Sequence, residues 1–264
     1  MHPTRTAIRL VGIIAALVLV SAVAWTVFSS PRVLLIGDSI TGQYAPVAAS
    51  SLRHHGYDPI VRAYPGVGLL DRGPRIDISP RIRADLHSAR ANIVVAEWSG
   101  NYGLADPPLA GAPPGSEAFY SEWTQAVRSF TREATASGAK LIWVVPPRPV
   151  EGDATESDRL AVVYQQQQRP GKVSILDTRP GFIAFERAVY APDGHHLSIP
   201  GAALMTQLVA HRIQSTPSWR LGLRKVPQSP IVITALVIVA AGVIVEASVS
   251  HSRTPRDQRQ VRAA

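Results

Sequence analysis

Five short strand-type runs, at 33–36, 59–63, 93–97, 141–145 and 173–176, alternate along the middle of the chain with longer stretches of helical periodicity. Apolar residues in the longer stretches recur every three or four positions, as one buried helix face requires. This alternation leaves few folds open. A strand, a helix and a further strand make the crossover unit of a parallel sheet, and such sheets bury both faces under helices. The expected class is α/β, with a parallel five-stranded sheet and helices on either side. No internal repeat competes with it.

The helical stretches carry their own start and stop signals. The spacing predicts a helix over 41–55, with Ala45, Val47, Ala48 and Leu52 on its apolar side and Gly56 as its stop. A Gly-, Pro- and Arg-rich loop follows over 64–80, then a short helix over 81–89. After the third strand comes a proline-rich loop, 102–115. Ser116 is placed to cap a helix running to Thr135, whose Phe119, Trp123, Val127 and Phe130 form one face. Further helices are expected over 155–168 and from Ser198 or Pro200 to Ile213.

Both ends are unusually apolar. Residues 7–28 are broken only by Arg9, Gly12 and Ser21, and a second run extends over 230–249 with Glu246 near its end. Roughly twenty apolar residues span a bilayer, so each is a transmembrane candidate. The expected organisation is an N-terminal signal anchor or signal peptide (1–30) and a folded domain (31–218). A juxtamembrane linker (219–229), a transmembrane helix (230–250) and a basic cytoplasmic tail (251–264) complete it. Ala22-Val23-Ala24 fits a cleavage site, so anchor and cleaved signal both stay open. Arg5 and Arg9 at one end, and Arg253, Arg256, Arg259 and Arg262 at the other, place the tails inside and the domain outside the cell membrane. Arg220, Arg224 and Lys225 run against that bias.

The formal charge of +8 sits largely in these tails and juxtamembrane stretches. Attraction to anionic lipid headgroups is its simplest cause, and no nucleic-acid partner is expected. Trp219, Arg220, Leu221, Arg224 and Lys225 can form an interfacial foot. The chain has no cysteine, which excludes disulfides, thiolate metal sites and a cysteine nucleophile.

The candidate chemistry falls at strand ends. Val33-Leu34-Leu35-Ile36 runs into Gly37-Asp38-Ser39, placing a hydroxyl at the carboxyl edge of the first strand, where α/β sheets bind ligands. Asp193-Gly194-His195-His196 precedes the last helix. A carboxylate three residues before a histidine can fix its tautomer while the other ring nitrogen faces Ser39. Asn101 ends the third strand with an amide donor. Gly66 and Gly68, after the second strand, each allow a backbone N–H to approach a ligand closely. No third ligand accompanies His195–His196 or His54–His55, so neither metal nor cofactor is expected.

In their order and positions these blocks resemble the SGNH hydrolases, or GDSL esterases and lipases. Gly37-Asp38-Ser39 looks like the first block, Gly66 the second, Gly100-Asn101 the third and Asp193-Gly194-His195-His196-Leu197 the fifth. The resemblance implies a flavodoxin-like three-layer sandwich. It implies Ser39 as nucleophile, His196 as base and Asp193 as its orienter, with Ser39, Gly66 and Asn101 as oxyanion donors. Tyr102 departs from the acidic residue frequent after the third-block asparagine. The activity implied is ester hydrolysis, and the expected place at the outer face of the membrane narrows its substrate to O-acyl groups of a cell-envelope lipid, glycolipid or polysaccharide. An O-acyltransferase would carry the same blocks, and an accessory domain partnering a membrane acyltransferase is a further alternative. The intact Ser39, Asn101, Asp193 and His196 set argues against the remaining one, a non-catalytic envelope-binding module.

Overall fold

The computed structural model describes residues 30–71, 78–99, 112–113, 115–150 and 154–216. Both terminal apolar segments, the linker and basic tail, and most of the 102–115 loop lie outside the described residues. Among the described residues no helix is long and apolar enough to cross a membrane.

Ser30–Thr216 forms one compact unit. Its strands are β1 (Arg32–Gly37), β2 (Asp58–Ala63), β3 (Ile93–Glu97), β4 (Lys140–Val145) and β5 (Val173–Asp177). Its longer helices are α1 (Ser39–His54), α2 (Ile78–Ala89), α3 (Glu117–Ala136), α4 (Ala154–Gln165) and α6 (Ile199–Ser215), with a five-residue α5 (Arg179–Ile183) and a 3₁₀ turn (Glu186–Val189) before the last. The strands pair in the order β2-β1-β3-β4-β5, all parallel. This is the flavodoxin-like order, and its switch point lies between β1 and β3.

Successive strand residues point to opposite faces, and here both faces are buried. Leu34 and Ile36 of β1, Val94 and Ala96 of β3, and Leu141, Trp143 and Val145 of β4 pack into one core with the aromatic face of α3. Val33, Leu35, Ile93, Val95, Ile142 and Val144 pack into the other with α1 and α6. The Phe119 N–H donates to Ser116 Oγ at 3.1 Å, so Ser116 caps α3 as its spacing implies. Buried Trp143 donates its indole N–H to Thr131 Oγ1 at 2.9 Å, which removes the cost of an unpartnered polar group in the core.

Three expectations are corrected. Val47 is 53 % exposed, because the buried stripe of α1 runs through Thr41, Tyr44, Ala45, Ala48 and Leu52 and position 47 falls off it. Helix α2 starts at Ile78, three residues early; Pro80 sits in its first turn, where a missing N–H costs nothing. Helix α4 stops at Gln165 rather than 168.

At the switch point the ends of β1 and β3 nearly touch. A methyl group on Gly37 would lie 1.9 Å from the Glu97 carbonyl oxygen and 2.2 Å from Thr41 Oγ1. Gly37→Ala is expected to cost about 3 kcal/mol on equilibrium unfolding, since a backbone carbonyl cannot swing aside. Gly138→Ala, at φ 83° with nothing within 4 Å of its Cβ, is the control and should cost only about 1 kcal/mol. Equal costs for the two would refute the close-approach argument.

Candidate active site

Ser39 is the first residue of α1. Asp38 is its N-cap: the carboxylate Oδ1 accepts the Ile40 N–H at 3.0 Å. A short polar residue at this position satisfies one of the amides that a helix start leaves open. The Ser39 N–H has no acceptor among the described residues, so it is available to a negative charge forming beside the hydroxyl.

The second half of the site is a tight turn ahead of α6. Asp193 Oδ1 accepts the backbone N–H groups of His195 and His196, both at 2.9 Å, while Oδ2 lies 2.7 Å from His196 Nδ1. Gly194 makes the bend at φ 71°. A carboxylate only accepts, so the proton is on Nδ1 and the lone pair on Nε2. Nε2 lies 3.0 Å from Ser39 Oγ, across 157 positions of sequence. The structure thus brings Ser39, His196 and Asp193 into one hydrogen-bonded line. Those three amide and imidazole donors, the His196 backbone N–H foremost, hold the Asp193 carboxyl well below the usual carboxylate range. The His196 and Asp193 side chains are 42 % and 49 % exposed, open to a solute.

Contacts that local patterns did not reveal hold the two halves together. Gln43, one helical turn after Ser39, accepts the Leu197 N–H on its Oε1 at 2.9 Å. That bond fixes the residue next to His196 onto the helix that begins at Ser39. Gln43 is legible only as a polar residue four positions after Ser39, on the same face. On the other side the Val150 N–H donates to Gly194 O at 2.9 Å, and Tyr190 pairs with Leu197 as an isolated antiparallel bridge.

The oxyanion candidates separate. The Gly68 N–H is taken by Asp71 Oδ2 at 2.7 Å. Gly66, at φ 74°, has an N–H with no acceptor among the described residues, which leaves it as the available member of the pair. Asn101 lies outside the described residues. The Ser99 N–H and hydroxyl, two positions before it, both donate to Asp38 Oδ2 at 2.6 Å. His195 is exposed, and its contact with Asp193 is made by its backbone N–H, not its ring. Among the described residues no cluster of three His, Asp or Glu could hold a metal.

Beside this turn lies a cleft of about 390 Å³ lined by Arg148, Val150, Arg179, Phe182, Arg187 and Tyr190, among others. Its arginines are braced from behind. Asp158 Oδ1 accepts from Arg148 Nη2 at 2.6 Å and Arg179 Nη1 at 2.5 Å, and Arg179 also forks onto Asp177. The Arg179 guanidinium holds the Asp177 carboxyl below the ordinary range.

A family model described as "Protein of unknown function (DUF459)" matches residues 32–212. No curated protein matches the chain. Solved structures do. A protein from Slackia heliotrinireducens, described as a candidate SGNH hydrolase, is 22% identical with a TM-score of 0.54, covering 70% of this chain and 99% of its own. An acetylxylan esterase from Geobacillus stearothermophilus, solved as a catalytic mutant, is 19% identical with a TM-score of 0.56, covering 70% and 94%. TesA is 20% identical with a TM-score of 0.52, covering 70% and 99%. At such identities the likeness is one of fold, and the fold is that of the SGNH hydrolases.

The Asp193–His196 geometry has a spectroscopic consequence that needs no substrate. A short bond from imidazole N–H to carboxylate shifts its proton far downfield. The full chain is expected to show such a downfield proton resonance at low temperature, absent in Asp193→Asn and in His196→Ala. Its survival in Asp193→Asn would mean that the carboxylate does not hold the imidazole.

Proposed function

We propose, for a chain that belongs to the DUF459 family and has the fold of the SGNH hydrolases, the activity of a serine esterase. The observation that carries this reading is the 3.0 Å approach of His196 Nε2 to Ser39 Oγ, with Asp193 on the far ring nitrogen. A serine hydroxyl is a weak nucleophile until a base takes its proton, and this geometry supplies the base in the required tautomer.

The reaction then follows in two steps. Ser39 Oγ attacks an ester carbonyl carbon as its proton passes to His196 Nε2. Negative charge develops on the carbonyl oxygen, and the N–H groups of Ser39 and Gly66 are free to receive it, with the Asn101 amide as third donor. The imidazolium is stabilised by Asp193, which stays ionised throughout any working pH. His196 returns the proton to the leaving alcohol, and the C–O bond to that alcohol breaks. Water attacks the acyl-serine as its proton passes to His196; the carbonyl carbon–Oγ bond then breaks, His196 returns the proton to Ser39 Oγ, and the acid is released.

The substrate in this reading is an O-acyl group on a cell-envelope lipid, glycolipid or polysaccharide. The terminal apolar segments with their arginine-rich flanks support an extracytoplasmic domain held at the cell membrane. The acetylxylan esterase of like fold supports an ester on carbohydrate. The cleft beside His196 has the volume of a small-molecule site.

The test is hydrolysis of p-nitrophenyl acetate by the purified full chain, alongside labelling with a fluorophosphonate. Ser39→Ala and His196→Ala should each lose labelling and at least ~10³-fold in kcat. Asn101→Ala should keep labelling and lose ~10²–10³-fold in kcat. Labelling without turnover would turn the reading toward an acyltransferase. A folded wild type that neither labels nor turns over would sink it.

A further inference from the structure

Two buried carboxyl groups lie beneath Ser39, and the esterase mechanism uses neither. Asp38 and Glu97 are both 0 % exposed, and they sit side by side, the Asp38 N–H donating to the Glu97 carbonyl oxygen at 3.3 Å. Two carboxylates on neighbouring residues of so dry a site cannot both be ionised, because neither water nor a cation offsets the repulsion. Among the described residues no lysine, arginine or histidine pairs with either group. Tyr44 on α1 and Tyr164 on α4 face the pair, and burial together with its charge pushes both phenols up, so they stay neutral. One proton between the carboxyls turns the contact from repulsive to attractive.

The surrounding donors show where that proton sits. Asp38 accepts three of them, Ile40 N–H on Oδ1 and Ser99 N–H and Oγ–H on Oδ2. That is the environment of an anion. Glu97 Oε2 accepts the Thr41 N–H at 3.1 Å and the Thr41 hydroxyl at 2.9 Å, but Oε1 receives no donor among the described residues. A buried oxygen facing a carboxylate with nothing donating to it is the oxygen that bears the hydrogen. Burial and the Asp38 charge both push the Glu97 carboxyl well above the ordinary range, in keeping with an acid at this position.

The anion so held has two loads. It caps α1 one residue before the serine, and it grips Ser99 two residues before Asn101. We propose that Glu97 is a positioning residue of this esterase: it keeps its proton and, by donating it to Asp38, locks the nucleophile's turn to the β3 exit that leads to the third oxyanion donor. The proposal rests on the esterase reading for its effect on turnover, but not for the proton itself. Ionising Glu97 sets a second negative charge against Asp38 and opens the lock. Folded Glu97 binds a proton that the unfolded chain has released, so its contribution to stability is lost as pH rises from the ordinary glutamate range to its raised folded value.

The test uses the full chain as wild type, Glu97→Gln and Glu97→Leu. Glutamine keeps both functions, an N–H toward Asp38 and an oxygen toward Thr41; leucine keeps neither. In ¹³C-labelled wild type, one glutamate carboxyl should remain protonated above about pH 6, where exposed glutamates have ionised. That signal should be absent from Glu97→Gln. With p-nitrophenyl acetate, Glu97→Gln should stay within about threefold of wild-type kcat and lose the alkaline fall in both activity and stability. Glu97→Leu should lose ~10²-fold in kcat, the scale of a displacement of about 1 Å in the reacting groups, with KM little changed.

A wild type with no protonated glutamate above that pH overturns the proposal. So does a Glu97→Gln as impaired as Glu97→Leu, or a Glu97→Leu as active as wild type. If the leucine variant does not fold, the carboxyl signal and the glutamine variant still decide. A wild type that shows the protonated carboxyl but neither turns over nor labels overturns the esterase reading, and with it the role in catalysis, while leaving the proton assigned.

Discussion

The close approach of β1 and β3 at their carboxyl ends governs this molecule. A glycine at position 37 lets the first strand run within reach of the Glu97 carbonyl, and the Asp38 N–H donates to that same oxygen at 3.3 Å. From this point the two chains diverge, one into α1 and the other toward residues 98 and 99. Had Gly37 carried a side chain, the strands would part and Asp38 could not cap the helix and hold Ser99 at once. The crevice that parallel sheets open at a switch point is here cross-braced by carboxyl groups before it is lined by catalytic ones.

The opposite wall is built differently. Asp193 and His196 sit on one turn whose hydrogen bonds are mostly internal, and the turn is attached to the rest by few bonds: Leu197 to Gln43, Gly194 to Val150, and Tyr190 to Leu197. The wall beneath Ser39 is buried, and the wall of Asp193 and His196 is open. The exposed imidazole and the arginine-rimmed cleft both belong to the open side.

How much of this the residues reveal depends on the range of the interaction. The strands are legible because each is short and the central three, β1, β3 and β4, are runs buried on both faces, so no competing period confuses them. Ser116 and its helix are legible because a cap and an aromatic face lie within a few residues of each other. Ser39, Asp193 and His196 are legible because strand end and turn each carry their own local signature. The Asp38–Glu97 contact is not, since nothing local marks two acids 59 positions apart as touching. Gln43 is hidden for the same reason. Sequence offers both Gly66 and Gly68 and prefers Gly66 only for its place after Pro65, whereas in the fold the Asp71 carboxylate folded back onto residue 68 separates them. The segment over 179–189 escapes because a five-residue helix and one 3₁₀ turn are too short to show a period.

The internal closure of the Asp193–His196 turn has a consequence for how this fold can vary. Its acid and base keep their mutual distance whatever precedes them, because the bonds that set it lie within four residues. Insertions or losses between β5 and the turn would leave that pair intact and change only where it is delivered. Divergence among chains of this architecture can then act on a single coordinate, the span from imidazole to hydroxyl. A cassette of this kind lets the surroundings drift toward new acceptors while the proton-handling part is inherited whole.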